Sequence, residues 1–254
     1  MDTLKLFKLA GIVSRPLFRY LPAVYFRLYS FYKYRTDASK LRIIRHTVQK
    51  GDWVVDVGAH IGFYTKELAK LVGPQGRVFA YEPNPENYEF LKKNVRAQEN
   101  TVLRNTAVGD RTGQTRLYLS FQLNVDHRTY ATSTESRRFL TVPQVTLDSE
   151  LLQSDKKIAF IKMDIQGFEY FACRGMRQLL NKDLPVVLAE FWPWGLRQSG
   201  SSARQLLEFF KGQKYQIKVI QERGGSYCVP LESFNFRDTE KDYYDILCLP
   251  PSKL

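Results

Sequence analysis

Two short stretches of this chain carry residue types that could hold a small nucleoside ligand. Asp56-Val57-Gly58-Ala59-His60-Ile61-Gly62-Phe63-Tyr64-Thr65 reads as the end of a strand, a tight turn and the start of a helix. Gly58 allows the sharp turn and lets the backbone approach a ligand closely. Gly62 falls where a missing side chain permits tight packing, and the helix N-terminus behind it offers free N–H groups to a carboxylate or phosphate. Asp56 is placed to hold a cationic amino group, directly or through water. About two dozen residues after Gly58, Glu82 closes the run Val78-Phe79-Ala80-Tyr81, where an acid can accept both hydroxyls of a ribose. The turn and the strand-end acid together predict a nucleoside-bearing cofactor.

The spacing also selects among such cofactors. A dinucleotide site carries G-x-G-x-x-G, and its middle glycine makes room for a pyrophosphate. Here that position is His60. S-adenosylmethionine has no pyrophosphate and tolerates a side chain there, so the pattern favours methyl transfer over hydride transfer by a nicotinamide enzyme. Methyl transfer from a sulfonium is an in-line displacement, which asks the protein to align the acceptor and remove its proton.

Asp164, at the carboxyl end of a central strand, is expected to face the sulfonium; capping the helix that starts near Gly167 is its alternative duty. His127, in Asn124-Val125-Asp126-His127-Arg128, is the candidate general base, with Asp126 to orient it; a loop histidine without a chemical task is the competing reading. Glu190 ends another strand, and with Asp164 and His127 it would offer oxygen and nitrogen ligands to a divalent cation, although no ligand spacing supports a metal. Trp192, Trp194 and Tyr130 are candidates for an apolar acceptor wall, or for plain core.

The elements that must position these residues alternate. Trp53–Val57, Val78–Tyr81, Val102–Val108, Ala159–Met163 and Val186–Phe191 read as strands. Phe63–Leu71, Pro85–Val95, Phe168–Leu180 and Ser202–Lys211 read as helices between or after them. This order predicts a mostly parallel sheet covered by helices on both faces. Tyr215–Ile220 and Tyr244–Leu249 supply the last strands, and Gly224-Gly225 between apolar runs suggests an antiparallel return. Residues 38–50 read as an amphipathic helix with Leu41, Ile44 and Val48 on one side.

Composition sets the outer bounds. With 254 residues, 44% hydrophobic and 25% charged, the chain suits one α/β domain, assigned to residues 37–254, plus an extension at 1–36. That extension is rich in Leu, Phe, Tyr, Lys and Arg, with Asp2 as its only acid, and reads as basic and helical. A lid, a dimer contact and a surface resting on anionic lipid all fit it. Lys5, Lys8, Arg15, Pro16, Arg19, Pro22 and Arg27 interrupt any apolar span or signal segment. Cys173, Cys228 and Cys248 are dispersed and form no C-x-x-C pair, as in a reducing compartment. A cytoplasmic location, with peripheral contact at the inner membrane surface, is the expectation. The net charge of +12 favours anionic partners. Nucleic acid is not expected among them: the Asn/Asp-Pro-Pro-Tyr/Phe signature of base methylation is absent, and Asp164-Ile165-Gln166-Gly167 stands in its place. A non-catalytic membrane-peripheral protein on the same fold is a further alternative.

Five blocks occur in a recognisable order: Asp56 to Thr65, Tyr81-Glu82-Pro83-Asn84-Pro85, Asn105-Thr106-Ala107-Val108-Gly109-Asp110, Thr146-Leu147-Asp148-Ser149 and Lys162-Met163-Asp164-Ile165-Gln166-Gly167-Phe168-Glu169. Over roughly residues 50–220 the chain resembles the FkbM family of methyltransferases. The resemblance implies a Rossmann-like class I fold, a mostly parallel seven-stranded sheet with a C-terminal antiparallel strand. It also implies S-adenosylmethionine as donor and a hydroxyl on a sugar, glycan or polyketide as acceptor. Position by position, Gly58 and Gly62, with Ala59, His60, Tyr64 and Thr65, match the cofactor loop. Glu82 and Pro83 match the ribose acid and its neighbour, Asn105 to Ala107 the segment beside the adenine, and Asp164 the acid after the fourth strand. His60 departs from the family, where Asn is commoner.

Overall fold

The computed structural model describes residues 20–120, 127–131, 138–221 and 228–251. In chain order the elements begin with helices α1 (Pro22–Thr36) and α2 (Ala38–Thr47). There follow β1 (Trp53–Val57), α3 (Phe63–Val72), β2 (Arg77–Tyr81), α4 (Pro85–Val95) and β3 (Thr101–Arg104). A small insertion comes next: β4 (Ala107–Val108), β5 (Gly113–Tyr118) and β6 (Phe139–Val145), then α5 (Leu147–Leu151). The second half runs β7 (Ile158–Met163), α6 (Glu169–Arg174), α7 (Arg177–Asp183), β8 (Val186–Phe191), α8 (Pro193–Gln198) and α9 (Ala203–Gly212). It closes with β9 (Gln216–Ile220), β10 (Cys228–Pro230) and β11 (Tyr244–Leu249).

The main sheet has the order β10-β9-β11-β8-β7-β1-β2-β3. β3, β2, β1, β7 and β8 are parallel, and β11 returns antiparallel between β8 and β9. The expected mostly parallel architecture is therefore present, with eight strands instead of seven. The extra one, β10, pairs antiparallel with β9 at the edge. A second sheet, β4-β6-β5, was not expected at all. The predicted strand Val102–Val108 splits because Arg104 to Thr106 carries the chain from one sheet to the other: β3 pairs with β2, and β4 pairs with β6. The predicted helix Phe168–Leu180 likewise divides into α6 and α7 around Gly175, where an added Cβ would lie 2.0 Å from the Gly109 carbonyl oxygen. Gly224-Gly225 lies outside the described residues, as do residues 1–19 of the extension.

Strand side chains alternate between faces, and the alternation places the chemistry. Val55, Ile161, Val187 and Ile246 pack towards α6, α7 and α9 with Ala172, Leu179 and Phe210. Val54, Phe160, Leu188 and Leu247 pack on the other face with Leu41 and Ile44 of α2 and Leu68 of α3. Two positions along the same strands, on this second face, come Asp56, Lys162, Glu190 and Asp245. Asp164 continues the Phe160 and Lys162 row just past the end of β7. One stripe of one sheet face thus changes from apolar to ionisable at the carboxyl edge of the parallel strands. The order of strands also reverses between β1 and β7, the place where sheets of this kind open a crevice.

Candidate functional site

The turn after β1 is tightly built. The Gly58 and Ala59 N–H groups both donate to the Tyr81 carbonyl at 3.0 Å, which bends the chain across the end of β2. Gly58 has φ +77°, and a Cβ there would lie 2.0 Å from the Asp164 carbonyl oxygen, so only glycine fits. Gly62, at φ +92°, packs against Leu91 and Val95 of α4, the close-packing role expected of it. His60 sits in the left-handed region at φ 51°, which costs a side-chain-bearing residue about 1–2 kcal/mol. Its backbone N–H donates to Glu82 Oε2 at 2.8 Å.

Glu82 is 5% exposed, and its other oxygen accepts from the Asn84 N–H at 2.9 Å. Burial pushes its carboxyl up to about 7, against the two backbone donors, which favour the charged form. Asn84 in turn caps α4 by accepting from the Asn87 N–H at 3.0 Å, with Pro85 in the first turn. Asn105 does not merely flank this site. Its side-chain amide donates to the Glu82 and Pro83 carbonyls at 2.8 and 3.2 Å and so fixes the loop that carries the acid. Ala107 is buried, 3% exposed, beside Leu117 and Val142 in the core of the small sheet.

Asp56 is not free to meet a ligand, a correction to the expected amino-group contact. It is fully buried; Oδ2 accepts from Thr65 Oγ1 at 2.7 Å, and Oδ1 pairs with Lys162 Nζ at 3.2 Å. Lys162 also donates to the Gly58 carbonyl at 3.0 Å. Asp56 and Thr65 therefore brace the turn from below. Tyr64 is likewise engaged, its hydroxyl donating to Asp37 Oδ2 at 2.5 Å.

Above this layer lies a narrow polar crevice lined by Lys40, Tyr64, Lys162, Asp164, Glu190 and Asp245, with Met163 and Leu188 at its base. Lys40 reaches in from α2 and pairs with Asp245 at 3.0 Å and Asp37 at 3.5 Å. Burial works to raise the Asp164 carboxyl, but the Lys162, Lys33 and Lys40 ammoniums outweigh it and hold it below the usual range. Gln166, at φ 57°, donates its amide to Asp164 at 3.2 Å and to both oxygens of Glu190 at 3.2 and 3.1 Å. Tyr29 of α1 closes one side, with its ring centroid 5.5 Å from that of His60.

Segment 127–130 meets the rim of this crevice. Tyr130 donates to the Gln166 carbonyl at 2.6 Å, and the Arg128 guanidinium lies over Trp192 and Trp194 at 4.9 and 5.5 Å. Trp192 is fully buried and stacks on Tyr243, so it acts as core, while Trp194 is partly exposed. His127 Nδ1 accepts from the Ser120 N–H at 3.1 Å, which in a neutral imidazole puts the proton on Nε2. Asp126 lies outside the described residues. Among the described residues no group of three or more His, Cys, Asp or Glu is arranged to hold a metal. Sequence reasoning missed Lys40, Asp37, Lys162 and Asp245; for Lys162 and Asp245 the available signal was an ionisable residue two places from a buried apolar one in its strand, whereas Asp37 and Lys40, at the joint of α1 and α2, carried no such signal.

A glycine turn against a neighbouring strand end, a buried acid after β2 and a polar crevice at the sheet reversal define a class I α/β nucleoside-binding architecture, and they fit an adenosyl ligand. The match to the Methyltransferase FkbM domain spans residues 56–217, and the chain belongs to that family. It is 26% identical over 156 residues to the hexuronic acid methyltransferase AglP of Haloferax volcanii, covering 58% of this chain and 59% of that protein. A protein-L-isoaspartate O-methyltransferase of Aeropyrum pernix is 40% identical over 62 residues, 24% of each chain. Among solved structures, Methyltransferase FkbM from Methylobacillus flagellatus KT superposes with a TM-score of 0.50 at 17% identity, over 80% of this chain and 44% of that one. The chain thus spans less than two thirds of each of these relatives.

Proposed function

We propose that this protein transfers a methyl group from S-adenosylmethionine to a hydroxyl of a sugar or similar small polyol. The observation that carries the reading is Glu82, buried at the end of β2 and fixed by the His60 and Asn84 N–H groups beside the Gly58 turn. In this reading the ribose hydroxyls donate to Glu82, and the turn at Gly58 to His60 receives the methionine end. The bound donor supplies an already activated methyl group. The chain's task is then to orient the acceptor, exclude water and remove one proton. The carboxylates and the amide at the crevice are groups that can accept from and donate to hydroxyls, although the space between them, about 10 Å³, holds no more than about one water, so an acceptor would approach from its mouth. The hexuronic acid relative supports a sugar as the acceptor class. Asp164 orients the reacting groups, and His127, whose Nδ1 accepts from the Ser120 N–H, is the candidate to receive the proton.

Calorimetry with S-adenosylhomocysteine tests the donor site. Wild type should bind, and Glu82→Ala should weaken binding at least about tenfold, the scale of a lost hydrogen bond to a charged group. Unchanged affinity in that variant would refute the ribose contact.

A second reading concerns α1. Leu21, Val24, Leu28 and Phe31 recur at helical spacing and are exposed, beside Arg27 and Arg35. This face, turned away from the Tyr25, Phe26 and Tyr29 contacts with the domain, suits an anionic membrane surface.

A further inference from the structure

Away from the crevice, α1 and α3 enclose a groove of about 350 Å³, the size of a small-molecule site. Its floor is aromatic: Phe26 and Phe63 are buried, and the Tyr34 ring meets that of Phe63 edge-on at 5.2 Å. Its walls are basic. Arg27 comes from α1 and Lys66 and Lys70 from α3, with Lys66 Nζ 5.2 Å from the Phe26 ring centroid. Glu67, the acid among the lining residues, is already engaged, by Lys70 at 2.7 Å and by Arg45 at 4.0 Å. Arg27 and Lys66 have no carboxylate within ion-pair distance among the described residues. Phe31 lines the groove and also belongs to the exposed apolar stripe of α1, and the Arg35 guanidinium lies 5.1 Å from its ring. Two uncommitted cations over an aromatic floor, with an apolar exit, call for an anion that carries an apolar body.

We propose that this groove takes one anionic phospholipid, with its phosphate at Arg27 and Lys66 and its acyl chains leaving across Phe31 onto the exposed stripe. This deepens the membrane-surface reading of α1 and rests on it for the source of the lipid.

Charge selects against the other occupants. Residues 1–19 bring Lys5, Lys8, Arg15 and Arg19 against Asp2 alone, and a second copy brings a net charge of +12. Either sets like charge against Arg27 and Lys66. A small polar anion satisfies the cations and gains nothing from the aromatic floor, whereas a lipid satisfies both. A helix resting on a bilayer attracts any anionic surface without a defined stoichiometry, but a groove of this size holds one lipid and saturates.

That difference supplies the test. Calorimetry of the full chain with dihexanoylphosphatidylglycerol, kept below its micelle concentration, should show saturable binding of about one lipid per chain. Glycerol phosphate, a head group without chains, should bind at least about tenfold more weakly. R27Q/K66Q, which alters two surface side chains, should lose at least about tenfold in affinity for the short lipid. V24Q/L28Q, which alters the stripe and not the groove lining, should keep that affinity within about threefold and yet lose co-sedimentation with mixed phosphatidylcholine and phosphatidylglycerol vesicles. Absence of saturable binding, equal binding of glycerol phosphate, or an unchanged affinity in R27Q/K66Q overturns the proposal. An affinity that falls as protein concentration rises assigns the groove to a second copy and overturns it as well. Failure of the membrane-surface reading shows separately, as a wild type that binds the short lipid but does not sediment with the vesicles.

Discussion

At the scale of single residues, buried acids set how this protein responds to pH. Glu169 is fully buried, accepts from the Ile165 N–H at 2.9 Å and supports the turn that carries Gln166. Burial pushes its carboxyl up to about 8. A folded-state value above the unfolded one gives stability that is complete below about pH 4.5 and lost as pH rises through about 8. Glu169→Gln keeps an oxygen for Ile165 and removes the cost of burying a charge. Urea unfolding should find it equal to wild type near pH 4.5 and more stable, by about 2 kcal/mol or more, near pH 9. Gly58, Gly62, Glu82 and Asp164 were legible as candidates because each sits in a local motif. The pairing of Asp56 with Lys162 was not, because Lys162 lies on another strand.

At the scale of elements, Asp37 is the joint between α1 and α2. It meets Lys33, Lys40 and the Tyr64 hydroxyl, and although burial opposes it, the two lysines lower its carboxyl to about 2. Replacing it should loosen α1 without unfolding the sheet. We expect Asp37→Ala to be cut by trypsin at Lys33 or Arg35 at least about fivefold faster than wild type, while the far-ultraviolet spectrum is retained. An unchanged cleavage rate would show that α1 is held by its aromatic contacts alone. The helices and parallel strands were legible because their apolar residues recur with clear periods. The small sheet was not: β4 has two residues, and β6 is interrupted by Pro143 and exposes most of its side chains.

At the scale of the whole molecule, the proposed membrane-surface contact of α1 would combine the net charge of +12 with the exposed apolar stripe. Co-sedimentation with anionic vesicles should fall when salt rises from about 0.1 to 0.5 M, as screening shortens the reach of the basic residues. Leu28→Glu with Phe31→Glu should abolish it at either salt; retention by that variant would place the contact elsewhere.

The clasp between Lys40 and Asp245 has one more consequence. It joins α2, which precedes β1, to β11, the strand that lies between β8 and β9 in the main sheet. One wall of the crevice is therefore complete only when two segments far apart in sequence have met, so its assembly depends on the whole sheet and not on the glycine turn alone.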